Sequence, residues 1–483
     1  MEIIGSLILS LTQSILFYGK QIGISMLIFE VVCNGIILFV LNKKEKIQNK
    51  AGLWLMVPIV LLSSTYLIFA NRTFYVANIF VIFALNFIMY VILINSKGTL
   101  TNYLYKTGML FTDTVGEWQD GLKLSQEVTN EHLSVKKRNV NFKKIAKSVL
   151  IVCVVVGIVL ILLSSADSIF ANLFSGIGRI FTHINTANIF NLILRIVIMV
   201  MVYFLFLSFI LKVQDEFEED EYKREVEVRD SFTIKMLLVT LNIVYLVFCF
   251  IQIQSLFAKI NIQNSFDYAN YARSGFFQLM FVSFINLAVI LISNRYNAKK
   301  EKNIKILNLM LVVFTIIIAI SSMYRMHMYE MEYGLTYLRM FVYIILITEI
   351  IAFIPIVKYI LDDKFDFMKW CFGICIGAYC VANLMNIENI IVSRNLTRES
   401  IRSIDYNYLS NIASEDSYII LEEKLQDQNI DLKEETAIDN ILINIKKNEK
   451  TLSWQEFNIS KMKIQKRRTN IQRMNEIVYD LYD

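Results

Sequence analysis

The feature that most limits what this chain can become is a succession of long apolar runs. Ten of them, at about 22–42, 53–71, 73–95, 148–166, 188–212, 233–256, 275–294, 306–324, 338–361 and 367–387, approach or exceed the length a crossing needs. A helix requires about 20 mostly apolar residues to cross roughly 30 Å of hydrocarbon. Lipid offers no water to unpaired backbone groups, so such runs must close their hydrogen bonds internally, as helices. No stretch alternates apolar and polar residues as a membrane strand does, which excludes an outer-membrane barrel. Two prolines in 483 residues leave the helices uninterrupted. The expected fold is all-α: a polytopic membrane helical bundle of about ten transmembrane helices, followed by a small C-terminal helical domain.

Composition narrows the function classes. Hydrophobic residues make up 55% of the chain and charged ones 19%, an imbalance foreign to soluble domains. All six cysteines, Cys33, Cys153, Cys249, Cys371, Cys375 and Cys380, fall inside apolar runs. That argues against a disulfide scaffold or a cysteine zinc site in a soluble loop. A net charge of +5 is too mild to indicate nucleic-acid binding. Neither a metal nor a cofactor is called for by any motif.

The N-terminal run 3–19 is shorter and carries Ser6, Ser10, Thr12, Gln13 and Ser14. We read residues 1–21 as an interfacial helix, with a short extra span as the alternative. The start, Met1-Glu2-Ile3, lacks the basic residues that begin a signal peptide. Three spans then fill 22–95, a basic linker occupies 96–147, and seven spans fill 148–387.

Lys and Arg in short loops set orientation. The loops 43–50, 96–147, 212–235, 295–305 and 358–369 hold 26 Lys and Arg, whereas the opposite set holds six. The first set is therefore expected to be cytoplasmic, which places the tail 388–483 outside. The Ile/Asn/Lys-rich composition suggests an AT-rich bacterial genome and hence the bacterial cytoplasmic membrane. The basic stretch from Lys136 to Lys147 reads as a grip on anionic headgroups. The acidic connector 213–230 lacks the spacing of a calcium loop.

The tail contains no Gly, Pro, His or Cys. Its apolar residues recur at helical spacing, as in Leu409 and Ile412, then Ile438, Ile441, Leu442 and Ile445, then Met462 and Ile464. It reads as an extracytoplasmic module of three or four helices, built for packing or binding and not for catalysis.

Ionisable groups within spans are costly and need a reason to persist. Glu30, Arg195 and Glu349 are of this kind, Glu349 being the deepest. An ion pair of Arg195 with Glu349 or Glu30 is the simplest expectation, and a proton or cation relay through Glu349 is the functional alternative. Asn86, Asn242 and Asn383 read as interhelical hydrogen-bonding groups.

Two segments on the expected outer side are rich in chemistry: FDYANYARSGFFQ, Phe266 to Gln278, and YRMHMYEMEYGLTYLR, Tyr324 to Arg339. Aromatic anchoring explains part of this. The remainder suggests a shared ligand-binding pocket of Asp267, Tyr271, Arg273, Arg325, His327, Glu330, Glu332 and Arg339. The three arginines suit bidentate capture of phosphate or carboxylate groups.

These segments carry a resemblance. YANYARSGFFQLMFVSFINL and YRMHMYEMEYGLTYLRMF, with NIENIIVSRNLTRES, DYNYLSNIASEDS and LSWQEFNISKMK in the tail, resemble the bacterial membrane family called domain of unknown function 4173, allied to the one numbered 4153. The likeness spans residue 260 to the C-terminus. It implies the architecture of a family-like core from about 260 and no assigned activity. Apart from the lipid bilayer, the expected partners are an envelope protein or an anionic lipid-linked ligand. The expected role is a sensor or assembly component. A transporter or flippase for a small anionic or lipid-linked substrate is the alternative, and a membrane-embedded transferase a further one, with His327 and Glu330 or Glu332 as acid and base.

Overall fold

The computed structural model describes residues 1–70, 73–96, 98–116, 186–214, 231–257, 276–297, 301–362, 364–398, 404–427, 430–447 and 452–465. Among these, every regular element is helical. We number the α-helices in chain order: α1 Glu2–Phe17, α2 Ile24–Lys43, α3 Met56–Ile68, α4 Tyr75–Ile94, α5 Leu100–Gly116, α6 Thr186–Lys212, α7 Ser231–Phe257 and α8 Phe276–Tyr296. They continue as α9 Lys302–Tyr333, α10 Tyr337–Leu361, α11 Phe367–Leu384, α12 Ile387–Leu396, α13 Tyr406–Ile412, α14 Tyr418–Leu425 and α15 Leu432–Lys447. A 3-10 turn, Lys50–Leu55, leads into α3, which accommodates Pro58 in its first turn, where no helical N–H is lost.

Nine helical stretches among the described residues are long and apolar enough to cross a membrane. They coincide with nine of the ten expected runs. The tenth, 148–166, lies outside the described residues, as do most of the basic linker and of the acidic connector. The protein is a polytopic helical bundle.

The chain divides into two compact units, with α3 and α4 contributing to both. In the first unit, α1 packs against α6 and α2, and α5 packs against α6. The packed face of α1 is Gly5, Ser6, Leu9, Ser10, Ser14 and Leu16, whereas Ile4, Leu7, Ile8, Leu11 and Ile15 are exposed. Small residues at helical spacing let two backbones approach closely, and a Cβ added to Gly5 would lie 2.9 Å from Ile36 Cγ2. An interfacial helix turns its polar stripe to water; α1 buries it.

In the second unit, α8, α9, α10 and α11 follow one another as neighbouring hairpins, with α7 against α9. Leu238, Ile290, Leu311, Phe353 and Ile356 fill the interior between them. Polar side chains bridge the helices where packing alone gives no register. Asn286 donates to Thr315 (3.1 Å), Ser293 to Asn308 (2.7 Å) and Asn242 to the Leu307 carbonyl (3.1 Å). Asn78 donates to Asn383 (2.7 Å) and accepts from Tyr379 (2.6 Å).

Beyond α11 the short helices α12 to α15 close over a core of Val392, Leu409, Leu421, Ile438, Ile441 and Ile464. Ile412, Ile419 and Ile420 are half-buried against it. The helical periodicity of the tail is thus the periodicity of this core.

Candidate functional site

The segment 324–339, expected as a loop, is mostly helix. Between Tyr324 and Tyr333 no Gly or Pro interrupts the chain, so α9 runs on to Tyr333. Its 32 residues make it roughly 48 Å long, well beyond the hydrocarbon thickness. It stops at Gly334, whose φ of +81° is open to glycine and closed to other residues. The Gly334 N–H returns to the Glu330 carbonyl at 2.7 Å, and Thr336 then caps α10 by accepting from the Arg339 N–H.

Residues of α12, of α13 and of the segment just after α12 hold this tight connection. The Asn395 amide clamps Leu335, accepting from its N–H (2.7 Å) and donating to its carbonyl (2.8 Å). Asn395 Oδ1 is also the atom that a Cβ at position 334 would strike. Tyr408 accepts from the Tyr337 N–H (2.9 Å), and Arg398 donates to the Glu332 carbonyl (2.9 Å).

Glu330 is the centre of the cluster. Its carboxylate is buried and accepts from Tyr343 (2.8 Å) and from Arg394 Nε (3.3 Å). His327 Nδ1 stands 3.7 Å away, with half of the imidazole exposed. Arg339 lies over the Tyr329 ring, 4.3 Å from its centroid, and donates to the Gly334 carbonyl. Arg325 is buried and donates to Gln252 Oε1 (3.0 Å), which Ser321 also reaches (2.9 Å). Of the residues singled out in the sequence, His327 and Glu330 share one site. Arg339 and Glu332 belong to the connection beside it, and Arg325 serves α7. Asp267, Tyr271 and Arg273 lie outside the described residues.

Arg394, Asn395, Arg398, Tyr343 and Tyr408 were not among the expected site residues. One signal did exist: Arg394 and Arg398 stand four apart, hence at helical neighbour spacing, inside the tail segment NIENIIVSRNLTRES.

From Glu330 a groove of about 590 Å³ runs between α9 and α10. His327, Glu330 and Tyr343 form its polar end, and Ile320, Met323, Ile347, Ile350 and Ile351 line the rest.

The buried carboxyls within the spans have neutral partners. Glu30 Oε2 accepts from Asn86 Nδ2 (2.8 Å) and Asn34 Nδ2 (3.1 Å), and Asn34 Oδ1 in turn accepts from Tyr90 (2.7 Å). Arg195 donates to the Ser14 hydroxyl (2.8 Å) and carbonyl (3.1 Å) and lies 5.5 Å from the Tyr18 ring centroid. Glu349 Oε2 stands 2.8 Å from Ser283 Oγ. The ion pairs expected for Arg195 therefore do not form among the described residues. Hydroxyl and amide groups on neighbouring helices meet these side chains at a lower desolvation cost than a second charge would.

A third polar centre joins the tail to the α3–α4 connection. Asp416 accepts from the Ala70 N–H (2.9 Å). Asn458 donates to the carbonyls of Tyr66 (2.9 Å) and Phe69 (2.7 Å), and Ser460 to that of Ile68 (3.0 Å). These bonds satisfy the last carbonyls of α3, which have no helical partner. Behind Asp416, the buried Glu388 accepts from the Ser414 N–H (2.6 Å) and from the Ser414 and Ser417 hydroxyls (each 2.7 Å). Burial pushes its pKa up to about 7, against the pull of these donors and with the help of the Asp416 charge.

No curated protein and no solved structure is detectably similar to the chain. A family profile does match, over residues 56–423, so it takes in both units and much of the tail and extends far upstream of residue 260. The family is the one numbered 4153, which the sequence suggested only as an ally of 4173. The chain belongs to the family described as Domain of unknown function (DUF4153).

Proposed function

We propose that the protein is a membrane-embedded binding component of the bacterial cytoplasmic membrane that recognises an amphiphile with an anionic head. The groove between α9 and α10 carries this reading. Its aliphatic lining suits an acyl chain, and its polar end offers the half-exposed His327 and, through Glu330, the half-exposed Arg394. Glu330 and Tyr343 orient the guanidinium, which leaves it pre-organised for a phosphate or carboxylate. The excess of basic residues in the loops on the other side supports an extracytoplasmic position for this end and for the tail. A sensor or assembly role follows, with the tail helices that grip the α9–α10 connection as the reporting element.

The test uses the full chain in nanodiscs of mixed phosphatidylcholine and phosphatidylglycerol, with a photo-crosslinking residue at Ile347. The expected result is preferential capture of the anionic lipid, reduced severalfold in Arg394→Gln. Equal capture of both lipids, with or without Arg394, contradicts the reading.

A second reading, a transporter, draws on a different observation. Asn242, Asn286, Asn294 and Asn308 each bury a side-chain polar atom without a hydrogen-bond partner among the described residues, all within α7 to α9. Such atoms are costly in an interior that serves packing alone.

A further inference from the structure

Glu349 lies midway along α10 and is 5% exposed. Its Oε1 is buried with no hydrogen-bond partner among the described residues. Its Oε2 meets Ser283 Oγ at 2.8 Å, but the same Oγ stands 2.7 Å from the Met280 carbonyl. A serine hydroxyl has one hydrogen to give and two lone pairs with which to accept, and a carbonyl can only accept. Unless one proton is split between two acceptors, both contacts are full hydrogen bonds when Ser283 donates to Met280 and the carboxyl of Glu349 donates to Ser283.

Among the described residues Glu349 has no ion-pair partner, and Arg325, Glu330, Arg339, Lys358 and Lys369 on α9 to α11 are engaged elsewhere. On α9, Arg325 donates to Gln252, and Glu330 is held by Tyr343 and Arg394. On α11, Lys369 pairs with Asp366. On α10 itself, Arg339 lies over Tyr329 and Lys358 over Phe365. One turn along α8 from Ser283 the polar contact is neutral as well, Asn286 with Thr315. A carboxylate here would be a lone charge in an apolar span, whereas the neutral acid satisfies Oε2 and leaves Oε1 as an ordinary carbonyl oxygen.

We propose that Glu349 is a proton-binding site within the membrane, a neutral carboxyl that donates its proton to Ser283. This goes beyond the groove and does not depend on it. The proton is released only when α8 or α10 shifts and exposes the carboxyl to water or to a cation, so protonation is coupled to the packing of these helices.

Infrared spectroscopy of the full chain in nanodiscs at neutral pH tests the proposal through the carbonyl stretch of a protonated carboxyl. In a background of Glu388→Gln, which removes the tail carboxyl that titrates near 7, the band is expected with Glu349 present, absent in Glu349→Gln and unchanged in Glu30→Gln. Ser283→Ala should move it to higher frequency by removing the acceptor. In that background, no band with Glu349 present, or a band that persists in Glu349→Gln, overturns the proposal. Should Glu349→Gln fail to accumulate, Ser283→Ala decides: a shifted band supports the proposal and an unmoved band contradicts it.

Discussion

Glu30 in the first unit and Glu349 in the second present the same problem, a carboxyl within an apolar helix, and solve it in opposite ways. Glu30 is an acceptor. Its Oε2 takes two amide N–H groups whose orientation is fixed independently, because Asn34 Nδ2 also donates to the Glu30 carbonyl and Asn86 Nδ2 to that of Ile82. Glu349 meets a hydroxyl already committed to a carbonyl. One site needs the carboxyl oxygen as acceptor, and the other is complete only when the acid keeps its proton. What an intramembrane carboxyl does is therefore set by the donors on the facing helices, not by its depth.

The largest effect should come from breaking the Glu30 site. Glu30→Leu strands the amides of Asn34 and Asn86, and each unsatisfied donor costs about 1–3 kcal/mol. We expect a loss of about 3 kcal/mol or more in thermal unfolding of the detergent-solubilised protein. Glu349→Leu, which strands one hydroxyl able to bond its own helix, should cost less than half as much. Equal losses would erase the contrast.

Glu388 supplies a third carboxyl, outside the spans, whose stability contribution depends on pH. Its folded pKa of about 7 lies above the ordinary 4.5. Below pH 4.5 it is protonated in both states and its contribution is fully present. Between these values the unfolded chain releases a proton that the folded chain keeps, so stability falls as pH rises through 7. The swing for this one group is about 3 kcal/mol. Glu388→Gln should flatten that part of the profile of melting temperature against pH, and a profile unchanged by the substitution would show that Glu388 does not titrate there.

Gly334→Ala sets the connection between α9 and α10 against the amide that clamps it. A side chain at φ +81° costs about 1–3 kcal/mol, and the new Cβ meets Asn395 Oδ1. A fall of several degrees in melting temperature is expected, with the anionic-lipid preference at Ile347 reduced in parallel. The smallest effect belongs to Glu349→Gln. An amide can donate to Ser283 as the neutral acid does, so stability should change by less than about 0.5 kcal/mol. A loss of several kcal/mol together with a band that Ser283→Ala leaves unmoved would mean that the residue is ionised.

The spans were legible in the sequence because hydropathy over 20 residues is a one-dimensional property. The tail core was legible because Leu409, Ile438, Ile441 and Ile464 keep helical spacing. The partners were not. Arg195 was expected to pair with a carboxylate, but charge complementarity along a sequence says nothing about which helices face each other. Ser14, Asn86 and Ser283 look like ordinary polar residues until packing brings them to an ionisable side chain on a facing helix. The serines of α1 were ambiguous for a related reason, since a polar stripe faces water on an isolated helix and a neighbouring helix in a bundle. His327 and Glu330 were found by their density in one segment. Arg394, more than 60 positions away, meets Glu330 only through the return of α12, and Asn395 beside it clamps the turn at Leu335.

The central claim is that the Glu330 cluster and the tail helices that hold it lie on the extracytoplasmic side, where an envelope amphiphile would reach them. Ser410 in α13 and Lys364 in the α10–α11 connection are both exposed and serve as reporters. With the six native cysteines replaced by alanine, Ser410→Cys and Lys364→Cys are each treated in intact cells with a membrane-impermeant maleimide. Labelling is expected at position 410 and none at 364 until the cells are lysed; labelling at 364 and not at 410 would place the cluster on the cytoplasmic side and overturn the extracytoplasmic position proposed for it.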